Sequence, residues 1–491
     1  MGLQSVLGGL KHKSPVAAQP AITDNEPSER VVYRNRFHFG PNLGAMFVQE
    51  KWIDNTLFTD KAKGDSELAA LAGSKSSGLS TKDMKQKWED RYKNLMTDDD
   101  WRWLRDHGVT AVRLPIGYWN VQDGQFTNGT PFEKFAHVYS GSWAAIKGII
   151  ESAGKFDIGV LVDLHAVPGG ANRDAHSGTN SGEAEFFKHS SYRKLAVQAL
   201  EFMAKDLNHY DNLVGLQVIN EPLAGQDKLY NYYMDALAAI RQVAPDLPVV
   251  ISDAWDLGYW REEVKRIDSG LSSHAPETAG LVIDTHVYRT FSEGDTSRSA
   301  NEHVDNAIQS VPGDDDVDTI VGEYSCCLSE ESWKKSNGDR GELEKQYGSN
   351  QLNCFLFNTR SGAFFWTYKF MQGNGGSWDF KNMTDKNTFR WPQHIGNHNL
   401  DGQLRPRLDA HKKYWTGVDS SKDWEFWRFE DGFRRGFADA EAFAKFNGSR
   451  VGRVHAMKTA RLKQHIAKKK SSEMNWAFNQ GYVQGIDAFW Q

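Results

Sequence analysis

Eight short apolar runs recur along the chain, separated by stretches with helical spacing. They are HFGPNLG (38–44), TAVRLPI (110–116), DIGVLVDLHA (157–166), LVGLQVINEP (213–222), LPVVISDAW (247–255), GLVIDTHVY (280–288), DTIVGEYS (318–325) and GAFFWTYK (362–369). Runs such as IGVLV and LVGLQVI show no alternation of apolar and polar positions, which suits parallel strands buried on both faces. Between them, TDDDWRWLRDHG (97–108) predicts a helix. Thr97 stands where a cap is needed, three aspartates occupy the electropositive first turn, Trp101 and Leu104 share a face, and Gly108 is a stop. KLAVQALEFMAKDL (194–207) is apolar at the same spacing. Eight strands alternating with helices predict a (β/α)8 TIM barrel. An open doubly wound sheet is the competitor, but no GxGxxG follows the first strand.

Three regions fall outside that alternation. Residues 60–82 are polar and read as a surface insertion, and 370–415, rich in Asn, Gly, His and Trp, reads as a long loop near the barrel mouth before a closing helix. The last seventy or so residues contain two similar units, WRFEDGFRRGFADAEAF (427–443) and WAFNQGYVQGIDAFW (476–490). Two copies are too few for a solenoid, so they suggest a hairpin-like element that packs its own aromatics. The resulting division is a flexible N-terminal arm (1–30), a barrel (31–418) and a small aromatic and basic C-terminal extension (419–491). Residues 450–470 hold eight Lys or Arg and no acid. That stretch is either a solvated helix face or a weak contact for an anionic membrane.

Composition narrows the class. With 491 residues, 39% hydrophobic and 25% charged, the chain can bury a sizeable core. A net charge of -6 argues against a nucleic-acid partner. Three cysteines exclude a disulfide scaffold. No apolar h-region opens the chain and no run of about 18 apolar residues occurs, so a cytoplasmic location is expected.

In a barrel, chemistry gathers at the C-terminal ends of the strands. Two glutamates stand there: Glu221 in VINEP, after the fourth run, and Glu323 in IVGEYS, in the seventh. A carboxylate that follows apolar strand residues is costly unless it is paired or serves chemistry. Arg113 in the second run can orient a carboxylate or form a structural ion pair, and Asn220 beside Glu221 can hold a sugar hydroxyl. His165 closes the third run with Asn172 in the loop beyond, and His286 and Tyr288 close the sixth. Together they read as a polar cage. Trp366 in the eighth run either floors a sugar ring or caps the core. No HExxH is present, so a zinc site lacks its pattern, and no metal or organic cofactor is implied. Two carboxylates suit glycoside hydrolysis, in which the proton donor needs a raised pKa and its partner must be ionised.

These blocks resemble glycoside hydrolase family 5. GPNLGAMFVQEKWI, TAVRLPIGYW, LVDLHAVPGGAN, LQVINEPL, IDTHVYRTF, IVGEYS and FFWTYK follow in order between about residues 37 and 415, and the first block with the GGAN loop is most similar to the fungal exo-1,3-β-glucanase subgroup. The resemblance implies Glu221 as acid/base and Glu323 as nucleophile. It implies Arg113, His165, Asn220, His286, Tyr288 and Trp366 as the surrounding shell, Glu50 and Asn172 as holders of the terminal glucose, and Trp255 and Phe291 as entrance aromatics. It further implies retaining removal of β-linked glucose from a β-glucan or β-glucoside. Hydrolysis of glucosylated lipids (steryl glucosides or glucosylceramide) is an alternative, as is a non-catalytic carbohydrate-binding barrel. The secreted members carry a leader and disulfides that this sequence does not show. The C-terminal extension resembles a cytoplasmic fungal branch of the family.

Overall fold

The computed structural model describes residues 16–20, 22, 26–93, 95–271, 275–389 and 396–491. All eight apolar runs supply a strand: β1 His38–Pro41, β2 Ala111–Gly117, β3 Gly159–Ala166, β4 Leu213–Gln217, β5 Val249–Ser252, β6 Leu281–Val287, β7 Thr319–Tyr324 and β8 Arg360–Phe365. From β2 to β8 each pairs in parallel with its sequence neighbours, and β1 pairs in parallel with β8. The seam between β1 and β2 is stitched by Thr110 N–H to Phe39 O and Leu43 N–H to Arg113 O, both 2.8 Å. The sheet is therefore a closed barrel, and helices cover its outer face.

Side chains two residues apart on a strand share a face, and this sorts the barrel interior into layers. Ala111, Leu161, Val214, Val250, Val282, Ile320 and Phe364, one from each of seven strands, form an apolar layer together with Tyr33. Two residues further along β2, β3 and β6 come Arg113, Asp163 and Asp284, all buried and polar. Two further again on β3 and β6 come His165 and His286, at the mouth. Gly322 makes room in the polar layer: a Cβ there would lie 2.2 Å from Asp284 Oδ1.

The flexible-arm expectation fails for the described residues below 31. Gln19 N–H donates to Thr278 O (2.8 Å), and Gln19 Nε2 donates to Asp246 O (2.7 Å). Ser28 caps the helix Glu29–Asn35, whose Arg30 and Arg34 pair with Asp246 at 3.0 and 2.7 Å. That helix seats Tyr33 against the apolar layer, so the segment is part of the barrel's floor. Residues 1–15 lie outside the described residues.

The 60–82 insertion is also more ordered than its polarity suggests. It contains the helix Glu67–Ser76, with Ala69, Ala70 and Leu71 buried. Buried Glu67 accepts from Gln49 N–H (2.8 Å), Trp88 Nε1–H (2.8 Å) and the Tyr139 hydroxyl (2.6 Å). Loss of hydration raises its carboxyl to about 7 despite those three donors. Through Gln49 it anchors the loop that carries Glu50 and Trp52.

The two C-terminal units are not a hairpin. They form the helices Trp427–Ala444 and Asn475–Phe489, which run parallel and are joined through the helix Val454–Lys469. A Cβ on Gly432, Gly436, Gly481 or Gly485 would lie 2.0–2.1 Å from a backbone carbonyl of the facing helix, at Phe478, Tyr482, Phe429 and Phe433 respectively. The four-residue glycine spacing on both helices is what lets the two backbones touch. The helix Leu400–Val418 gives Leu404 to this same C-terminal core, so the structural junction lies before residue 400 instead of at 418.

The basic stretch 450–470 serves docking. Arg453 pairs with Asp318 (3.4 Å), Lys458 with Asp316 (2.7 Å), Arg461 with Asp439 (2.8 Å) and Lys463 with Glu277 (2.6 Å). Only its end, Ala467 to Lys470, is exposed. Half of the eight basic charges a membrane contact would draw on are thus paired within the chain. Among the described residues no helix is long and apolar enough to cross a membrane.

Candidate active site

The polar layer supports the mouth. Buried Arg113 donates to Asn42 Oδ1 (2.8 Å), Gln217 Oε1 (2.9 Å), Asn220 Oδ1 (2.8 Å) and Glu323 Oε1 (3.0 Å), and pairs with Asp163 Oδ2 at 3.0 Å. Asp163 also meets His165 Nδ1 at 2.7 Å. Asp284 accepts from Gly322 N–H (2.6 Å), Gln217 Nε2 (2.8 Å) and His286 Nε2 (3.0 Å). Each charged side chain of this layer is paired, although Asp163 Oδ1 itself accepts no hydrogen bond, and the shared partners fix the residues above it.

Glu323 receives Arg113 on one oxygen and the Tyr288 hydroxyl, at 2.8 Å, on the other. Glu221 occupies the left-handed region (φ 41°), and its backbone carbonyl is held by Asn172 Nδ2 at 3.0 Å. Its Oε1 accepts from His286 Nδ1 at 2.6 Å, and its Oε2 lies 3.3 Å from His176 Nε2. One oxygen of Glu221 and one of Glu323 lie within 4.8 Å of each other. Both side chains keep a little exposure, 14% and 7%, so a substrate can reach them.

Charge decides where the protons sit. Both nitrogens of His286 face carboxylates, so both carry hydrogen. Burial opposes that cation, but Glu323, Asp284 and Glu221 hold its pKa well above the ordinary value. His176 is likewise opposed by burial yet raised to about 9 by Asp174, Glu221, Glu50 and Glu323. Burial alone would raise Glu221, but the His286 hydrogen bond and the charges of His286 and His176 pull it below the usual carboxylate range. The raised acid/base expected from sequence is therefore not what this arrangement of charges gives. The proton is held by the Glu221–His286 pair, on the imidazole side.

A cavity of about 680 Å3 opens over the two glutamates. Glu50, His165, His286, Tyr288, Trp255, Phe291 and Trp366 line it, as do Glu221 and Glu323. Trp366 stacks on His165 with centroids 5.7 Å apart. Glu50, its pKa raised by burial, accepts from Trp52 Nε1–H at 2.9 Å. Trp255 and Phe291 are 57% and 72% exposed, which places them at the rim. Arg113, Asn172 and Asn220 are brought to the site but stand behind its wall. Asn172 spends its amide on Glu221 O and on Asp174 N–H, so it holds the loop instead of facing the cavity.

Seven lining residues were not singled out from sequence: Trp52, Asp174, His176, Arg289, Ser292, Asp295 and Trp378. All lie on loops or in the short helical turns within them, where no periodicity marks a face. Asp163 and Asp284, the partners of Arg113, were visible as acids two residues before a histidine in LVDLHA and VIDTHV. That spacing puts acid and imidazole on one strand face.

A closed parallel barrel with two facing glutamates, one just past the fourth strand and one on the seventh, has the layout of an enzyme that cleaves glycosidic bonds. A family model described as Cellulase (glycosyl hydrolase family 5) matches residues 69–369, and the chain belongs to that family; it is an O-glycosyl hydrolase. The Glucan 1,3-beta-glucosidase 3 C-terminal domain matches residues 397–491. An uncharacterized glycosyl hydrolase of Saccharomyces cerevisiae is 36% identical, over 98% of this chain and 96% of its own. Glucan 1,3-beta-glucosidase 3 of Schizosaccharomyces pombe is 33% identical, over 94% and 95%. Among solved structures, the rutinosidase of Aspergillus niger matches with a TM-score of 0.55 at 21% identity, covering 73% of this chain and 99% of that one, which shows the shared fold.

Proposed function

We propose that the protein removes a β-linked glucose from the non-reducing end of a β-glucoside or β-glucan with retention of configuration. The carrying observation is the approach of Glu221 and Glu323 to within 4.8 Å. Retaining enzymes hold their carboxyl groups about 5–5.5 Å apart, whereas inverting enzymes leave about 6.5–9.5 Å for a water. The relatives named as glucan 1,3-beta-glucosidases supply the substrate class.

In the first step a Glu323 oxygen attacks the anomeric carbon and forms a glycosyl ester. The bond to the leaving oxygen breaks, and that oxygen takes the proton held by Glu221 and His286. Arg113 and Tyr288 fix the orientation of the Glu323 carboxylate for this attack. Consuming the Glu323 charge removes the largest electrostatic support of the His286 cation, which eases proton release toward Glu221. In the second step water attacks the same carbon, Glu221 accepts its proton, and the ester breaks to restore Glu323. Trp366 and Glu50 bound the deep, buried part of the cavity, where the sugar is seated.

The test is hydrolysis of an aryl β-glucoside by the intact chain and by Glu221→Gln and Glu323→Gln. Each variant is expected to lose at least about a thousandfold in turnover, and near-normal turnover in either removes the assignment. The wide aromatic rim also accommodates an apolar aglycone, which keeps glucosylated lipids within the substrate panel. A cytoplasmic location belongs to this proposal as well. Cys326, Cys327 and Cys354 are free thiols, in keeping with a reducing compartment, and cell fractionation checks it.

A further inference from the structure

The loop after β6 does more than bound the catalytic cavity. Arg289 and Asp295 line that cavity and also a second one, of about 370 Å3, closed off by Arg298, His303, Ser310 and Tyr347. These two residues form the partition between the cavities. The half-buried Arg289 guanidinium has a single long hydrogen bond, from Nη2 to Ser310 O at 3.4 Å. Among the described residues no carboxylate is in ion-pair contact with Arg289 or Arg298.

The nearby acids are engaged within their own turns. Asp295 accepts from the Ser292 hydroxyl at 2.6 Å, and Glu302 accepts from Ser299 N–H and the Ser299 hydroxyl at 2.7 and 2.8 Å. His303 is buried, contacts Asp295 O at 3.0 Å, and has its pKa lowered by burial and by both arginines, though Asp295 opposes this. It is a neutral wall. The half-buried Arg289 and the exposed Arg298 thus line a polar recess whose lining carboxylate, Asp295, is bonded to Ser292 and is in ion-pair contact with neither of them. A partly desolvated guanidinium with most of its fork unused is costly unless an anion completes it, and its planar fork suits a carboxylate or phosphate.

From this geometry we infer an anion subsite beside the catalytic cavity, centred on Arg289 and extended by Arg298, that receives a carboxylate or phosphate carried on the leaving group of the glucoside. The inference rests on the glucosidase reading. The sugar end is set by Glu50 and Trp366, which are 8% and 4% exposed. The Arg289 loop carries Phe291, 72% exposed, at the open rim where an aglycone emerges. The substrate class this selects is a β-glucoside whose aglycone is acidic.

The test uses aryl β-glucosides that bear a short side arm ending in a carboxylate, a phosphate, a methyl amide or an ammonium group. The arm is insulated from the ring so that all leaving groups have the same acidity. In the full chain, kcat/KM for at least one acidic substrate is expected to exceed that of the amide by about ten- to hundredfold, with the ammonium lowest and the advantage shrinking at high salt. Comparing the carboxylate with the phosphate identifies which anion fits. In Arg289→Gln the acidic-to-amide ratio is expected to fall to near one, and in Arg298→Gln part of the way. A ratio near one in the unaltered protein, or one unchanged in Arg289→Gln, overturns the subsite. Calorimetric binding of the free acidic phenols against their amides reads the same preference without turnover. It decides the subsite even if no glucoside is cleaved, an outcome that would count against the glucosidase reading instead.

Discussion

Replacing Tyr288 with Phe removes one hydrogen bond from the nucleophile and almost nothing else. The hydroxyl donates to Glu323 Oε2 at 2.8 Å, while Arg113 holds the other oxygen. The ring itself packs against Trp378 at 5.4 Å, Phe291 at 5.9 Å and His286 at 6.5 Å, contacts that Phe retains. Burial and the facing carboxylates keep the phenol well above its usual pKa, so it is a donor at every working pH. A hydrogen bond to an ionised group contributes about 1.5–3 kcal/mol, hence a loss of roughly 10- to 150-fold in kcat/KM is expected. Because the freed oxygen can swing out of line, the loss should appear in kcat and in the pre-steady-state burst that reports ester formation, more than in KM. The assay is aryl glucoside hydrolysis with burst kinetics, paired with thermal melting as a control on the fold. A variant that melts like the parent and retains more than about a third of its kcat/KM would refute the idea that Tyr288 positions Glu323.

Further outcomes follow from other parts of the molecule. The folded pKa of His176, about 9, stands above its ordinary 6.5, so its contribution is complete below 6.5 and lost as pH rises through 9. Unfolding free energy should decline over that window, by a ceiling of roughly 3 kcal/mol, with melting temperature following it, and His176→Gln should flatten the decline; a parallel decline in the variant denies the coupling. Gly436→Ala drives a Cβ to 2.0 Å from Tyr482 O and is expected to cost about 2 kcal/mol or more, whereas Gly148→Ala, with nothing within 4 Å, should be neutral or stabilising. Equal melting temperatures for the two would count against a backbone-to-backbone helix contact. Asp439→Asn breaks a buried fork from Arg461, two bonds of 2.8 Å, and the Tyr482 hydroxyl bond of 2.7 Å. It should cost about 3–5 kcal/mol by denaturant titration, and a loss below about 1 kcal/mol would show the pair to be dispensable.

The barrel was readable because its strands are buried on both faces, so they announced themselves as largely apolar runs, the third to the seventh with an acid or histidine at the end. Glu221, Glu323, His165 and His286 were legible for the same reason: position on a strand fixes position at the mouth. What escaped depends on loops and on contacts between distant segments. His176 and Trp378 reach the cavity from segments without periodicity. Asn172, beside the first of these, turns inward to hold Glu221 O, a choice that backbone geometry makes. The glycines of the two C-terminal units were seen as a repeat, but only facing backbones reveal that they set two helices parallel. The charge in 450–470 appeared free because its acidic partners, Asp316, Asp318 and Glu277, belong to the barrel.

The central claim is that two carboxylates facing each other across one opening act in turn on the same carbon. Proton NMR of the first turnovers on an aryl β-glucoside reads this directly, since the newly released sugar shows its anomeric configuration before mutarotation scrambles it. The account requires β-glucose to appear first, with the α form growing in later; α-glucose as the initial product would contradict it.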